Sequence, residues 1–141
     1  MIEYGLSKYQ LKELKRFSDI FNKTNDEMIL DCILTILCEW NKDKEIYKNG
    51  RGFNPDITEV DFSIDLPKNI EDDLYELSDD HDLSIYDCIN GIIEFILHYL
   101  DLNWSDKTDF ELAEMTDQEK VIELTKENGK DEDDCWVKYF G

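Results

Sequence analysis

A chain of 141 residues fits one compact domain or two very small ones, and its formal net charge of -20, from 35 acidic and 15 basic side chains, disfavours direct contact with nucleic acid and favours basic surfaces. No run of about 18 apolar residues occurs and the N-terminus has no basic stretch, so neither a membrane span nor a secretory signal is expected. Four cysteines (Cys32, Cys38, Cys88, Cys135) show no metal-ligand pairing, and three of them fall within apolar helical pattern, where a free thiol packs as a small hydrophobe.

The alternation Ile2-Glu3-Tyr4-Gly5-Leu6 predicts a strand with one buried face, which turns Glu3 and Gly5 outward. Leu14, Phe17 and Phe21 then recur at helical spacing. Asn22-Lys23 breaks that helix, and Thr24 stands three residues before Glu27, the spacing of a capping box. The helix so begun carries Met28, Ile29, Cys32, Ile33, Ile36 and Leu37, a stripe wide enough for the centre of a core.

A linker follows, with Gly50-Arg51-Gly52 and Asn54-Pro55-Asp56 as its turn signals. The same order of elements then returns. Phe62-Ser63-Ile64-Asp65-Leu66 predicts a second strand, with Asp61, Ser63 and Asp65 outward, and Pro67 suits the first turn of the next helix. Ile70, Leu74 and Leu77 form its inward face, and His81-Asp82-Leu83 ends it. Ser84, three residues before Asp87, opens a last helix with Cys88, Ile89, Ile92, Ile93, Ile96 and Leu97.

These two halves are one unit used twice. Leu6, Lys8, Leu14, Ser18, Asp19, Ile29, Ile33, Ile36 and Leu37 are matched sixty positions later by Leu66, Lys68, Leu74, Ser78, Asp79, Ile89, Ile93, Ile96 and Leu97, without a gap. Each half alone would bury too little surface for stability, so residues 1–42 and 59–101 are expected to share one core, joined by a linker at 43–58. Residues 102–141 form an acidic extension. In it, Thr108 with Glu111 and Thr116 with Glu119 predict short helices near 109–115 and 117–127, and Asp131-Glu132-Asp133-Asp134 precedes the aromatic cluster of 135–140, which docks on the core or hooks a partner.

Strand, helix, turn and capped helix within about forty residues resembles the ribbon-helix-helix family of the Arc, MetJ and CopG repressors, most closely from Asp61 to Ile89. The resemblance covers residues 1–40 and 59–100. It implies a mainly α fold with a small two-stranded antiparallel ribbon, a tandem pseudo-dimer within one chain, plus the C-terminal helical extension. In that family the outward ribbon face reads DNA in the major groove and the amides of the capped helix hold a phosphate.

The corresponding positions here are Glu3, Gly5, Asp61, Ser63 and Asp65, none of them basic or an amide, and the first turns of the capped helices carry Asp26, Glu27 and Asp87. A carboxylate reads only a cytosine amine and must approach a field of phosphates. Charge is also distributed unevenly, with 9 basic and 10 acidic side chains in residues 1–57, 1 and 12 in 58–100, and 5 and 13 in 101–141. Glu71, Asp72, Asp73, Glu76, Asp79, Asp80 and Asp82 crowd one helix and its turn, joined by Asp61 and Asp65 on the strand before it.

These nine residues form the expected partner-binding surface, with Glu3, Gly5 and Ser63 completing the outward ribbon. Carboxylates on a rigid scaffold can stand in for phosphates in a basic groove, and in this the chain resembles the acidic DNA mimics and anti-defence inhibitors of phages, of the anti-CRISPR or anti-restriction type. The expectation is an inhibitor acting in the cytoplasm of a bacterial host, on a basic nucleic-acid-handling protein such as a defence nuclease. The alternative is a ribbon-helix-helix transcriptional repressor or antitoxin, drawing on Lys8, Lys12, Lys15 and Arg16, and a plain assembly subunit or homodimer is left open. Neither a nucleophile elbow nor a phosphate loop, metalloprotease helix or zinc-finger spacing is present, so no enzyme activity, cofactor or metal is expected.

Overall fold

The computed structural model describes residues 1–42, 53–104 and 108–114. Chain order is β1 (Ile2–Leu6), α1 (Lys8–Phe21), α2 (Asn25–Lys42), β2 (Val60–Ile64), α3 (Lys68–Asp80), α4 (Ile85–Trp104) and α5 (Asp109–Glu114). The fold is mainly helical with one two-stranded antiparallel sheet. No described helix is long and apolar enough to cross a membrane.

The strands pair Ile2 with Ile64, Glu3 with Ser63, Tyr4 with Phe62, Gly5 with Asp61 and Leu6 with Val60. Adding sixty to one member of a pair and subtracting it from the other turns Ile2–Ile64 into Phe62–Tyr4, so the ladder is symmetric about Glu3–Ser63. That register moves β2 two residues N-terminal of the alternation at Phe62–Leu66. A strand's limits follow the backbone groups its partner offers, and Leu6 reaches back to Val60.

Turn chemistry repeats with the same offset. Asn22 and Asp82 both adopt left-handed backbone, at φ 53° and 54°, a conformation that these two residue types tolerate better than most. Beyond them the Lys23 amide donates to the Ser18 carbonyl at 2.9 Å and the Leu83 amide to that of Ser78 at 3.0 Å. The Glu27 amide donates to Thr24 Oγ1 and the Asp87 amide to Ser84 Oγ, each at 3.1 Å. At Thr24 the box is closed by its own amide donating to Glu27 Oε1.

The two copies differ where α1 and α3 begin. Ser7 caps α1, and Gln10 returns the bond from its side chain. Pro67, at the equivalent place, precedes the first helical residue of α3 and makes no side-chain cap bond. Between the helix layers lies one core, in which Ile29, Ile33, Leu37, Leu74, Leu77, Ile89, Ile92 and Ile93 are fully buried. Burying a side chain of this size contributes roughly 1.5–3 kcal/mol. Leu112 of α5 joins the core, on a helix that Thr108 caps through the Glu111 amide. The helix expected near 117–127 and the aromatic cluster of 135–140 lie outside the described residues.

Cys32 and Cys88 are free and buried, as small hydrophobes should be. Cys38 departs from that expectation. It is disulfide-bonded.

The packing of the two halves is unequal. α4 lies closely along β1, whereas α2 makes no comparable contact with β2. The end of the linker is bound to the first of these two sides. Phe53 is buried against Gly91, where a Cβ would come within 2.6 Å of the Phe53 Cβ. Its ring meets that of Phe95 edge-on at 5.9 Å and that of His81 at 4.7 Å. Further on, the Glu59 amide donates to the Leu6 carbonyl at 2.9 Å, and the Glu59 carboxylate accepts from the Lys8 amide at 2.7 Å.

Candidate functional site

On the outward ribbon face Glu3, Asp61, Ser63 and Asp65 are exposed, but Gly5 is not. Thr58 and Tyr86 close over it. A Cβ at Gly5 would stand 2.1 Å from Thr58 Cγ2 and 2.2 Å from the Tyr86 hydroxyl, so any larger residue would force one of them to move. Alternation alone puts residue 5 in solvent, but it cannot foresee a side chain arriving from α4. Tyr86 donates its hydroxyl to Asp61 Oδ1 at 2.5 Å, and that bond raises its pKa by holding the proton. At the opposite end of the ribbon the Met1 ammonium lies 3.6 Å from the Asp65 carboxylate, both exposed.

The acidic residues of α3 differ in setting. Asp72, Glu76, Asp79 and Asp80 are exposed, while Glu71 and Asp73 are half-buried. Asp82 is exposed in the left-handed turn that follows. Lys68 pairs with Asp72 at 3.1 Å, and its pKa is raised by that hydrogen bond and by the carboxylate's charge. The last turn of α3 holds no basic residue, so Asp79 and Asp80 stand at the negative end of the helix dipole. Acids there cost stability.

A buried polar network escaped sequence reasoning. Gln10 and Asn90 are 0% and 1% exposed, and Gln10 Nε2 donates to Asn90 Oδ1 at 3.0 Å and to Glu94 Oε2 at 2.9 Å. Asn90 Nδ2 donates to the Gly5 carbonyl at 2.9 Å, and Asn90 Oδ1 accepts from the Asp56 amide at 2.8 Å. Strand, helix and linker are thus joined by one side chain. A signal for it did exist, because the equivalent positions in the other copy are Ile70 and Leu30, and only a buried partner explains amides at core positions in one half.

On the other side, where α2 stands away from β2, a cavity of about 330 Å³ opens between the ribbon and the helices. Tyr4, Leu6, Leu11, Leu14 and Phe62 form its apolar walls, and Thr24, Asn25 and Asp26 its polar part. Tyr4 stacks on Phe62 with ring centroids 5.6 Å apart. Burial and the Asp26 carboxylate push the Tyr4 hydroxyl up to about 12.

His81 Nδ1 lies 3.0 Å from the Leu77 carbonyl, and His98 is exposed on α4. Among the described residues no three histidine, cysteine or carboxylate side chains gather in a way that could hold a metal ion. No protein-family model, curated protein or solved structure matches this chain.

Proposed function

We propose that this protein is an acidic, protein-binding inhibitor that occupies a basic nucleic-acid-binding site on a partner, a bacterial defence nuclease being the type of target. Its scaffold in this reading is a tandem ribbon-helix-helix pseudo-dimer, supported by the ladder symmetric about Glu3–Ser63 and by the matching left-handed turns at Asn22 and Asp82. One observation carries the functional part. Where the resemblance would have DNA-reading side chains, the ribbon presents Glu3, Asp61 and Asp65 and is closed at Gly5 by Thr58 and Tyr86.

Phosphate-binding proteins gain much of their affinity from Lys and Arg, and here a phosphate would meet carboxylates at the ribbon and at α3. Asp79 and Asp80 sit where they oppose the α3 dipole, which fits residues kept for a partner rather than for the fold. Carboxylates so placed give fast, salt-dependent capture by a positive groove.

The repressor reading relies on Lys8, Lys12, Lys15 and Arg16, all exposed on α1. Arg16 there pairs with Glu13 at 3.5 Å and lies over the Phe17 ring, and Asp19 is exposed on the same helix. The test is anisotropy of a labelled duplex with the full chain at about 50 mM and 200 mM salt. The inhibitor reading expects no binding at either. Tight binding that weakens steeply with salt would overturn it. Capture of host proteins at the two salt levels, released as salt rises, then identifies the target.

A further inference from the structure

Apart from the acidic surface, the molecule has a cavity between β2 and the start of α2. The repeat explains its origin. Sixty positions after Asn25 and Asp26 stand Ile85 and Tyr86, and there Ile85 packs on the core while Tyr86 closes over Gly5. Two large side chains complete that half of the molecule. Two short polar ones stand in their place in this half, α2 keeps away from β2, and the space of about 330 Å³ remains. Ligand sites begin at roughly 300 Å³, so the volume suits a group the size of one side chain.

We infer that this cavity is an anchor pocket for a single arginine side chain of the basic partner, and the inference therefore rests on the function proposed above. Leu11, half-buried, offers apolar wall to the aliphatic stem, with the buried Leu6 and Leu14 behind it. Phe62 is only partly buried and is backed by Tyr4, so an aromatic face is open to a guanidinium. Asp26 is exposed and lines the same cavity, where it supplies the countercharge. The Thr24 and Glu27 amides do not compete for Asp26, because the Glu27 amide is bound to Thr24 Oγ1 and the Thr24 amide to Glu27 Oε1. An anion would meet Asp26, and a purely apolar group would gain nothing from that carboxylate.

The test titrates Nα-acetyl-arginine methylamide into the full chain and follows methyl and aromatic NMR signals. Shifts that saturate at Leu11, Leu14, Tyr4 and Phe62 are expected, and Asp26→Asn should weaken binding about tenfold, the loss of one charge-assisted bond. A second variant, Leu11→Phe, should abolish the shifts by filling the space, and thermal unfolding checks that both variants fold. Three results would overturn the inference: shifts confined to α3, unchanged affinity in Asp26→Asn, or equal binding of Nα-acetyl-leucine methylamide. None of the three touches the inhibitor reading, which fails separately if the chain binds duplex DNA.

Discussion

Gln10 and Asn90, eighty positions apart in sequence, meet inside the protein with Gln10 Nε2 donating to Asn90 Oδ1 at 3.0 Å. At the equivalent positions the other copy has Ile70 and Leu30. One side of a repeated architecture thus has a polar hub that also holds the Gly5 carbonyl and the Asp56 amide, and this fixes which side of the ribbon the linker covers.

Removing that hub should be costly. Asn90→Leu removes the side-chain partner of the Gly5 carbonyl and of the Asp56 amide and one of the partners of Gln10, which keeps Glu94 and the Ser7 amide, and an unmade buried bond costs about 1–3 kcal/mol. Urea unfolding should therefore show Asn90→Leu as strongly destabilised. The double variant Gln10→Ile with Asn90→Leu, which copies the Ile70–Leu30 pair, should lose less than the two single changes added together.

Gly5→Ala tests the closure of the ribbon face. Its Cβ would meet Thr58 and Tyr86 at 2.1 and 2.2 Å, so one of them must move, and overpacking of this kind costs about 1–3 kcal/mol. Combining it with Thr58→Ser and Tyr86→Phe should recover part of that loss in thermal unfolding. No recovery would mean that the strain lies in the backbone.

Asp79→Lys with Asp80→Lys should separate stability from binding. Cations in the last turn of α3 gain about 0.3–1 kcal/mol each from the helix dipole, so the melting temperature should rise. Association with the basic partner should slow about tenfold or more, and lose much of its salt dependence. Faster association after this charge reversal would sink the proposed interface.

Alkaline pH should loosen the fold. Burial pushes the Cys88 thiol up to about 12, and the Tyr4 hydroxyl also reaches about 12, from ordinary values of 9.0 and 10.0. Folded values above unfolded ones mean that the stabilisation is complete below the unfolded pKa and is lost as pH rises through the folded one. Stability should hold up to about pH 9 and fall above it, less steeply for Cys88→Ala than for the natural chain, because the buried Cys32 thiol is raised as well. For the same reason the Cys32 and Cys88 thiols, both buried, should react with a thiol reagent only as the protein unfolds.

Elements were legible where local chemistry decides them. The capping spacings at Thr24, Ser84 and Thr108 appear as hydrogen bonds, and the apolar stripes from Met28 and from Cys88 appear as the core. The Ser7–Gln10 box is not legible in the sequence, since Gln10 reads as an ordinary polar helix residue until its burial is known. Asp61 and Asp65 emerged exposed, as alternation predicts, whereas Gly5 did not.

The order of residues by itself determined that a unit is used twice, where the helices capped by Thr24, Ser84 and Thr108 start, which faces are apolar, and that acid gathers in the second copy. Those properties follow from contacts a few residues apart, and from counting charge. Only the tertiary structure decided that Tyr86 and Thr58 cover Gly5, that Asn90 ties the linker to β1, and that a cavity opens beside the start of α2. Repeated sequence makes two sides nearly equal, and differences such as Ile85-Tyr86 against Asn25-Asp26 take effect only when side chains distant in the chain compete for the same space.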